Sequence, residues 1–182
     1  MPQVKGSMLT EWVRTVRADR SGELAARLPP QLRAMLDTRV LPSLWYPFEF
    51  YKACFLIVFE LRGGGDLRLA RSWGLDYGQQ ILDRVYPATI RPGDPLAGLC
   101  AYERLFSSFF DFGSVQVEAV GEREVRLTVR DFDRDFEPFY HLLGGWMERV
   151  VQLCRGEQAS VQFEQRSWDG ATATGYLVRW ST

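Results

Sequence analysis

The stretch DGATATGYLVRW, residues 169–180, indicates a turn followed by a strand. Its opening Asp-Gly pair is typical of tight hairpin turns, and the residues after it include the β-branched and aromatic types that favour strands. Thr172–Trp180 is therefore predicted as a strand. The segment before the turn alternates apolar and polar residues, with Ala159, Val161 and Phe163 on one face. Together the two segments predict an antiparallel pair of strands.

A helix and a second hairpin precede this pair. Glu137–Cys154 repeats apolar residues with helical spacing, and we expect that stripe to lie on the sheet. The stripe consists of Phe139, Leu142, Leu143, Trp146, Val150 and Leu153. Upstream, alternation from Val115 to Val129 predicts two strands joined by a tight turn at Gly121-Glu122. Residues 113–182 thus have the predicted order ββαββ.

The chain before residue 113 is predicted to be mainly helical. Helical spacing covers Met8–Arg17, Leu24–Met35 with a break at Pro29-Pro30, Phe48–Leu61, Leu67–Val85 and a helix from Asp94-Pro95 to Phe110. Residues 41–47, between two prolines, are predicted as an extended connector. Gly63–Gly65 is expected to end the fourth helical segment, with Asp66 placed to cap the next. Gly74 and Gly78 lie one turn apart and predict close approach by another helix.

These elements define an α+β fold, in which an N-terminal helical layer packs with a four-stranded antiparallel sheet of ββαββ order. The length of 182 residues fits a single domain, residues 1–182. Within it, residues 1–112 form the helical part and residues 113–182 the ββαββ part.

Composition excludes several classes of function. The net charge is −1 and the pI about 5.9, without the basic stripe that nucleic acid requires, so no nucleic-acid partner is expected. The longest apolar run, Ala53–Phe59, is far shorter than the roughly 20 residues of a membrane span. Charged residues interrupt the first twenty positions, whereas a signal peptide contains an uninterrupted apolar segment. We therefore expect a cytoplasmic protein without a membrane span.

Five segments together resemble a known superfamily. They are WYPFEFYKACF (45–55), GGGDLRLARSWG (63–74), TVRDF (128–132), FYHLLGGWMERVVQLCRG (139–156) and WDGATATGYLVRW (168–180). Their order resembles that of the superfamily that joins vinyl-reductase-type domains, haem–nitric-oxide-binding domains and TRAPP vesicle-tethering core subunits. The chain looks most similar to haemless bacterial members of the myxobacterial type.

This resemblance implies a helical front, a twisted antiparallel sheet, a homodimer and a hydrophobic pocket. Relatives use that pocket for haem, a fatty acyl chain or another small apolar molecule. Two departures are visible. Many relatives carry a cysteine in the last strand, where this chain has Thr172 and Thr174, and no second cysteine lies near Cys154 to help form a zinc site.

Metal and haem chemistry depends on few residues. His141 is the only histidine. Its helical position places it opposite the apolar stripe, so we expect its side chain to face solvent or to act as a capping group. The tyrosine–serine–arginine signature of haem-binding relatives is missing. The acidic ladder DFDRDFE, residues 131–137, lacks the glycine that a calcium loop needs at its sixth position and fits a strand leading into a helix N-terminus. No metal or cofactor is therefore expected.

Three cysteines, Cys54, Cys100 and Cys154, each lie among apolar residues and are expected to be buried and reduced. Some TRAPP subunits are acylated on a cysteine, which makes Cys54 the thiol of most interest. A structural thiol in the core is the favoured interpretation of Cys54.

An aromatic set forms the predicted ligand site. Its members are Trp45, Tyr46, Phe55, Phe59, Trp73 and Tyr77. Tryptophan and tyrosine combine apolar surface with a polar group, which suits a binding pocket, although aromatic residues at helical spacing also occur in ordinary cores. We predict a non-enzymatic regulatory or sensory module that binds a small apolar ligand as a homodimer. The alternative is a protein-interaction adaptor without any ligand. An enzyme is disfavoured because no catalytic constellation is present.

Overall fold

The structure, a computed structural model, describes residues 1–84 and 90–181 of the chain, which divide into two units. The first unit, Met1–Asp66 with Ser108–Phe112, contains β1 (Gln3–Lys5), α1 (Gly6–Ala18), α2 (Glu23–Arg27), α3 (Pro30–Arg33), a 3-10 helix (Ala34–Asp37), β2 (Trp45–Pro47) and α4 (Phe48–Leu61). The second unit, Leu67–Ser107 with the chain from Gly113 onward, contains α5 (Leu67–Arg84), most of α6 (Pro95–Phe109), β3 (Ser114–Gly121), β4 (Glu124–Arg130), α7 (Glu137–Leu153), β5 (Glu157–Gln165), a 3-10 helix (Ser167–Asp169) and β6 (Thr174–Ser181). The predicted α+β class is confirmed.

Helix α4 has the bounds that its sequence predicts. Glycine is the residue that most readily adopts positive φ, and Gly64 and Gly65 do so, with φ of 59° and 71°. The Gly65 N–H donates to the Phe59 carbonyl at 3.1 Å, which closes the end of the helix. The predicted end of the next helix, at Val85, lies outside the described residues. No described helix is both long enough and apolar enough to cross a membrane.

The Pro29-Pro30 pair breaks the second helical segment, as predicted. Proline lacks an N–H and disfavours helical geometry in the residue before it. The segment therefore divides into α2, α3 and the 3-10 helix. Asp19 stabilises the start of α2 because its carboxylate accepts the Leu24 N–H at 3.0 Å. This bond is the main cause that lowers the pKa of Asp19, and Arg62 contributes to the shift.

The connector 41–47 contains a strand that the sequence does not reveal. β2 pairs antiparallel with β1, and Val4 lies opposite Tyr46. Val4 also forms an isolated bridge with Phe110, and the Gln3 N–H donates to Asp111 Oδ1 at 2.6 Å. The chain around residue 110 is therefore joined to the N-terminal strand.

The sheet of the second unit has the strand order β3-β4-β6-β5, and all its pairs are antiparallel. The β3–β4 turn lies at Glu122-Arg123, one residue later than predicted, because Gly121 pairs with Glu124. The β5–β6 connection is longer than a tight hairpin. It contains the 3-10 helix and Gly170, whose φ of 98° suits glycine.

Alternation along β4 gives the sheet one apolar and one polar face. Val125, Leu127 and Val129 are buried. Arg126 lies between them on the other face, with Nε 2.7 Å from Glu164 Oε2 and Nη1 3.6 Å from Glu118 Oε2. These ion pairs join side chains of three strands on the polar face. α7 contacts β5 and β6 and lies on the apolar face, since a Cβ atom at Gly144 would come within 3.9 Å of the buried side chains of Tyr176 and Val161.

α5 and α7 cross at backbone contact distance. A Cβ atom at Gly74 would lie 1.8 Å from the Leu142 carbonyl oxygen, and one at Gly145 would lie 1.9 Å from the Arg71 carbonyl oxygen. Only residues without a side chain fit at such a crossing. The predicted close approach at Gly74 is thus confirmed, with α7 as the partner helix.

The predicted orientation of α7 is wrong. Phe139 and Trp146, members of the predicted stripe, contact Phe132 and Tyr102, at ring-centroid distances of 5.0 and 4.4 Å. The opposite face lies on the sheet, where a Cβ atom at Gly144 would come within 3.9 Å of Tyr176 and Val161. The reason is that α7 is buried on both faces, so its most apolar stripe does not identify the side that meets the sheet.

Candidate functional site

The six aromatic residues of the predicted ligand site divide between the two units. Trp45 and Tyr46 lie on β2, and Phe55 and Phe59 lie on α4, all in the first unit. Trp73 and Tyr77 lie one turn apart on α5 of the second unit, where both are half-buried.

Phe55 lies at the centre of a group of aromatic rings that we call the α4 cluster. The cluster consists of Trp12, Phe48, Tyr51, Phe55, Phe59, Phe110 and Phe112. The Phe55 ring is fully buried and lies 4.4 Å from the ring of Trp12 and 6.5 Å from that of Phe59. Aromatic pairs at such distances stabilise a core beyond the area they bury. The cluster is thus an apolar region of large rings around one helix.

The sequence interpretation did not place Trp12 or Phe110 at this site. Trp12 belongs to the buried face of α1, with Leu9 and Val16, and its helical spacing indicated a core position only. Phe110 follows the end of α6 and reaches Phe48 and Tyr51 at 6.2 Å each. No local pattern could have indicated the role of Phe110, because its contacts are distant in sequence.

Trp45 and Tyr46 contact the chain around β1. Lys5 Nζ lies 4.1 Å from the centre of the Trp45 ring, in a cation–π arrangement, and Trp45 is 37% exposed. The Tyr46 hydroxyl accepts the Leu41 N–H at 2.7 Å. A Cβ atom at Gly6 would lie 2.1 Å from the Leu41 carbonyl oxygen. The Tyr46 hydroxyl thus closes the 41–47 segment on itself, and the Gly6 N–H fixes the segment to the start of α1 by donating to the Leu44 carbonyl at 2.8 Å.

His141 does not face solvent, which corrects the sequence prediction. Its ring lies 5.0 Å from Phe163 and 6.1 Å from Trp168, and its side chain is only 23% exposed, because β5 and the following 3-10 helix cover this face of α7. Nε2 lies 3.7 Å from Glu137 Oε1. Burial lowers the pKa of His141 below its usual value, Arg71 and Arg166 lower it further, and Glu137 opposes the shift.

We expect acidification to destabilise the fold through His141. Its folded pKa lies below the value of about 6.5 in an unfolded chain, so the unfolded state binds the proton first and stability falls as the pH drops through 6.5. Urea unfolding at about pH 7.5 and about pH 5.5 should show a smaller pH-dependent loss for His141→Gln than for the parent protein. Because His141 is the only histidine, an NMR titration reports it alone, and a folded pKa above 6.5 would contradict this prediction.

Thr174, at the start of β6, belongs to a hydroxyl network. It is fully buried and donates to Ser167 Oγ at 2.9 Å, and the Ser167 hydroxyl donates to the Arg134 carbonyl at 3.1 Å. The Tyr176 hydroxyl donates to the Tyr140 carbonyl at 2.8 Å. Each of these hydroxyls has a protein acceptor, which makes the network a structural feature of the β5–β6 end.

The three cysteines are free thiols, and Cys54 and Cys154 are buried. Burial raises the pKa of Cys54 from 9.0 to about 12, and it also raises the pKa of Cys100 and Cys154. A neutral thiol is a poor nucleophile and a poor metal ligand. Among the described residues, no three His, Cys, Asp or Glu side chains are grouped so that they could hold a metal ion.

We expect iodoacetamide to modify Cys100 first in the native protein at about pH 8 and to leave Cys54 unmodified. Cys100 is partly exposed, whereas Cys54 is buried and its raised pKa leaves very little thiolate at this pH. Mass spectrometry of tryptic peptides gives the order of modification, and unfolded protein, in which all three thiols should react, is the control. Equal native rates for Cys54 and Cys100 would contradict the assignment of Cys54 as a core thiol.

The acidic ladder contains a turn. β4 ends at Arg130, and Asp131 has a φ of 52°. Asp133 Oδ1 accepts the Asp135 N–H at 3.1 Å, and Glu137 lies in the first turn of α7, where a negative side chain interacts favourably with the helix N-terminus. The strand therefore ends before the ladder begins, whereas the predicted helix start at Glu137 is confirmed.

Several solved structures with the same fold are H-NOX domains. An iron(II) unliganded H-NOX protein from K. algicida superposes with a TM-score of 0.69 at 15% identity, over 98% of this chain and 97% of that chain. A point mutant of T. tengcongensis H-NOX gives a TM-score of 0.63 at 14% identity, over 98% of each chain. An oxygen-binding H-NOX domain related to soluble guanylate cyclases gives 0.64 at 14% identity, over 98% of this chain and 95% of that chain. The chain therefore has an H-NOX-like fold.

A family model built from sequences identifies the family of this chain. The model described as "Protein of unknown function (DUF2378)" matches residues 21–181, and the chain belongs to this family. The curated proteins contain no match to the chain.

Two further structures with this fold concern haem: one probes haem distortion in the H-NOX family, and the other modulates haem redox potential through porphyrin distortion. An axial ligand of haem must present a free donor atom in an apolar pocket. The His141 ring lies against Phe163 and Trp168, with Nε2 near a carboxylate, and the buried thiol of Cys54 is held protonated. His141 and Cys54 therefore do not fit the role of an axial haem ligand.

Proposed function

We propose that this protein is a non-enzymatic regulatory module that binds a small apolar molecule at the α4 cluster and acts as a cytoplasmic homodimer. The proposal includes distant kinship with vinyl-reductase-type domains and TRAPP core subunits. The observation that carries it is the H-NOX-like fold, which covers 98% of the chain. A domain described as oxygen binding has this fold, which makes ligand sensing the function that the fold favours.

The α4 cluster supports the choice of an apolar ligand. Phe55, Tyr51 and Phe110 are fully or almost fully buried, and rings surround them on several sides. Ligand pockets are predominantly lined by such apolar and aromatic side chains. Because His141 and Cys54 do not fit haem ligation, we propose a ligand that binds without a metal. Trp45 and Tyr46 of the same unit remain part of the proposed site, and Trp73 and Tyr77 remain predictions for the second unit.

Signalling in this proposal is a shift between two packings of α1 and α4. Trp12 of α1 and Phe55 of α4 are in direct ring contact, so a molecule inserted among these rings must move the two helices. A ligand shifts such an equilibrium only by the difference between its affinities for the two states. The apolar surface of the ligand would replace ring–ring contacts in the favoured state.

Native and denaturing mass spectrometry of freshly purified protein tests the proposal. We expect a dimer that carries extra mass, and we expect that mass to be released on denaturation. Phe59→Ala should lower the loaded fraction, while Phe163→Ala, a matched change in the second unit, should not. Mass that persists on denaturation would indicate covalent acylation, and an equal loss of ligand in both variants would contradict a site at the α4 cluster.

The alternative function is an interaction adaptor without a ligand. Leu41, Leu44 and Trp45 are exposed apolar residues close together in sequence, which favours a protein contact there. α4 itself offers little free surface, since eight of its side chains are buried. If the adaptor function is correct, Leu44→Ser would dissociate the oligomer, and neither this variant nor the parent protein would carry a bound molecule. Size-exclusion chromatography with light scattering measures the change.

A further inference from the structure

We propose that a groove beside α1 binds a small amphipathic carboxylate, at a site separate from the α4 cluster. The groove has a volume of about 450 Å³ and lies between one face of α1 and the chain at Arg39 and Val40. This volume falls within the range of small-molecule sites. The inference does not depend on the proposed apolar ligand.

The floor of this groove is apolar. Val13 of α1 and Val40 line it and are buried, and the exposed Ala18 lines it as well. Val13 and Ala18 are five residues apart, about 140° around the helix and about 7.5 Å along its axis, so they lie at the two borders of the helix face that lines the groove. The floor can therefore cover the apolar body of a ligand.

Arg17 holds the groove together and also presents a charge. Its Nε donates to the Leu36 carbonyl at 2.8 Å, and its Nη2 donates to the Thr38 carbonyl. A guanidinium group has five N–H donors and no acceptor, so three donors remain available after these two bonds. Because both bonds fix its plane, Arg17 is already oriented for a planar anion.

Two further arginines line the rim. Arg14 Nη2 lies 2.6 Å from Glu11 Oε1, which partly neutralises its charge. Arg39 is exposed and has no ion-pair partner among the residues that the structure describes. Residues 1–39 carry seven Lys and Arg against four Asp and Glu, although the whole chain has a net charge of −1. The groove thus lies in a locally basic part of the chain.

This combination favours a carboxylate on an apolar body. Arginine recognises a carboxylate through two parallel N–H···O bonds, and Arg17 and Arg39 can each supply such a pair. A purely apolar molecule would leave these charges unused, and a free inorganic anion would leave the valine floor uncovered. The occupant is therefore a monoanion with a short hydrocarbon or aromatic portion.

Isothermal titration calorimetry with octanoate tests the inference, with 1-octanol as the neutral analogue and inorganic phosphate as the anion without an apolar body. We expect octanoate to bind at least about tenfold more tightly than either. Arg39→Gln should weaken octanoate binding about tenfold, and Arg27→Gln, which removes an exposed charge of the same basic region outside the groove, should leave it unchanged.

Three outcomes would overturn this site. Equal binding of octanoate and 1-octanol would show an apolar groove without anion recognition, and tighter binding of phosphate would show a plain anion site. Binding that is equally weak in the Arg27→Gln and Arg39→Gln variants would show that only the general basic charge matters. Thermal unfolding of both variants checks that each is folded. Failure here leaves the α4 cluster proposal untouched, since Phe59→Ala tests that site alone.

Discussion

Gly74→Ala should destabilise the protein by about 3 kcal/mol or more. The added methyl group would be placed 1.8 Å from the Leu142 carbonyl oxygen, an atom of helix backbone that cannot rotate away. α5 and α7 would have to separate, and the contacts along their crossing would be lost. Chemical denaturation with urea measures the loss as a lower midpoint.

Gly78→Ala is the matched control on the same helix. Its Cβ would meet side-chain atoms of Trp146 and Arg149 at 3.2 Å, and these can shift by a few tenths of an ångström. Alanine favours the helix over glycine by about 1 kcal/mol, so the net change should be close to zero. Equal destabilisation by the two substitutions would contradict a backbone crossing at Gly74.

Phe55→Ala should lower the free energy of unfolding by about 3–5 kcal/mol. The Phe55 ring is fully buried and contacts Trp12, Tyr51 and Phe59, so its removal leaves a cavity that rigid neighbouring rings cannot fill. Thermal and urea unfolding both measure this change.

Phe55→Leu and Leu44→Ala are the controls for this prediction. Leucine retains most of the apolar volume and should cost clearly less than alanine. Leu44 is 51% exposed, and its truncation should change stability by less than about 1 kcal/mol. A loss below about 1 kcal/mol for Phe55→Ala would show that the α4 cluster is loosely packed, and it would favour an open pocket at Phe55.

The helices and the sheet of this protein could be predicted because the spacing of their apolar residues agrees with the way each element is buried. α4 has near-continuous apolar sequence between a proline and a glycine run, and its bounds match the prediction. Apolar and polar residues alternate strictly along β4, and only one of its faces is buried. The alternation therefore identifies both the strand and the face that it turns to the core.

The orientation of α7 could not be predicted in the same way. Periodicity shows which residues are apolar and not which neighbour covers them. On the sheet side of α7, Tyr140, Gly144 and Met147 are buried too, and glycine carries no hydrophobic signal although it permits close contact. The short strands β1 and β2 were missed for a related reason, because three residues are too few to show alternation.

The candidate site was predictable only in part. The aromatic residues of α4 were identified from composition and spacing, and the structure groups Phe55 and Phe59 at 6.5 Å. Trp12 and Phe110 join them through contacts between distant parts of the chain, which no spacing rule reports. The groove beside α1 was also missed, because Arg39 and Val40 come from an irregular segment.

The pairing of Val4 with Phe110 has a consequence for the order of synthesis. A ribosome delivers the chain from the N-terminus, and domains commonly fold as they emerge. The first unit needs Ser108–Phe112, however, and Phe110 contacts Phe48 and Tyr51 in its core. Residues 67–107 must therefore be translated before this core can close. The first unit therefore stays incomplete until α5 and α6 have been synthesised, and until then Phe48 and Tyr51 lack their contacts with Phe110.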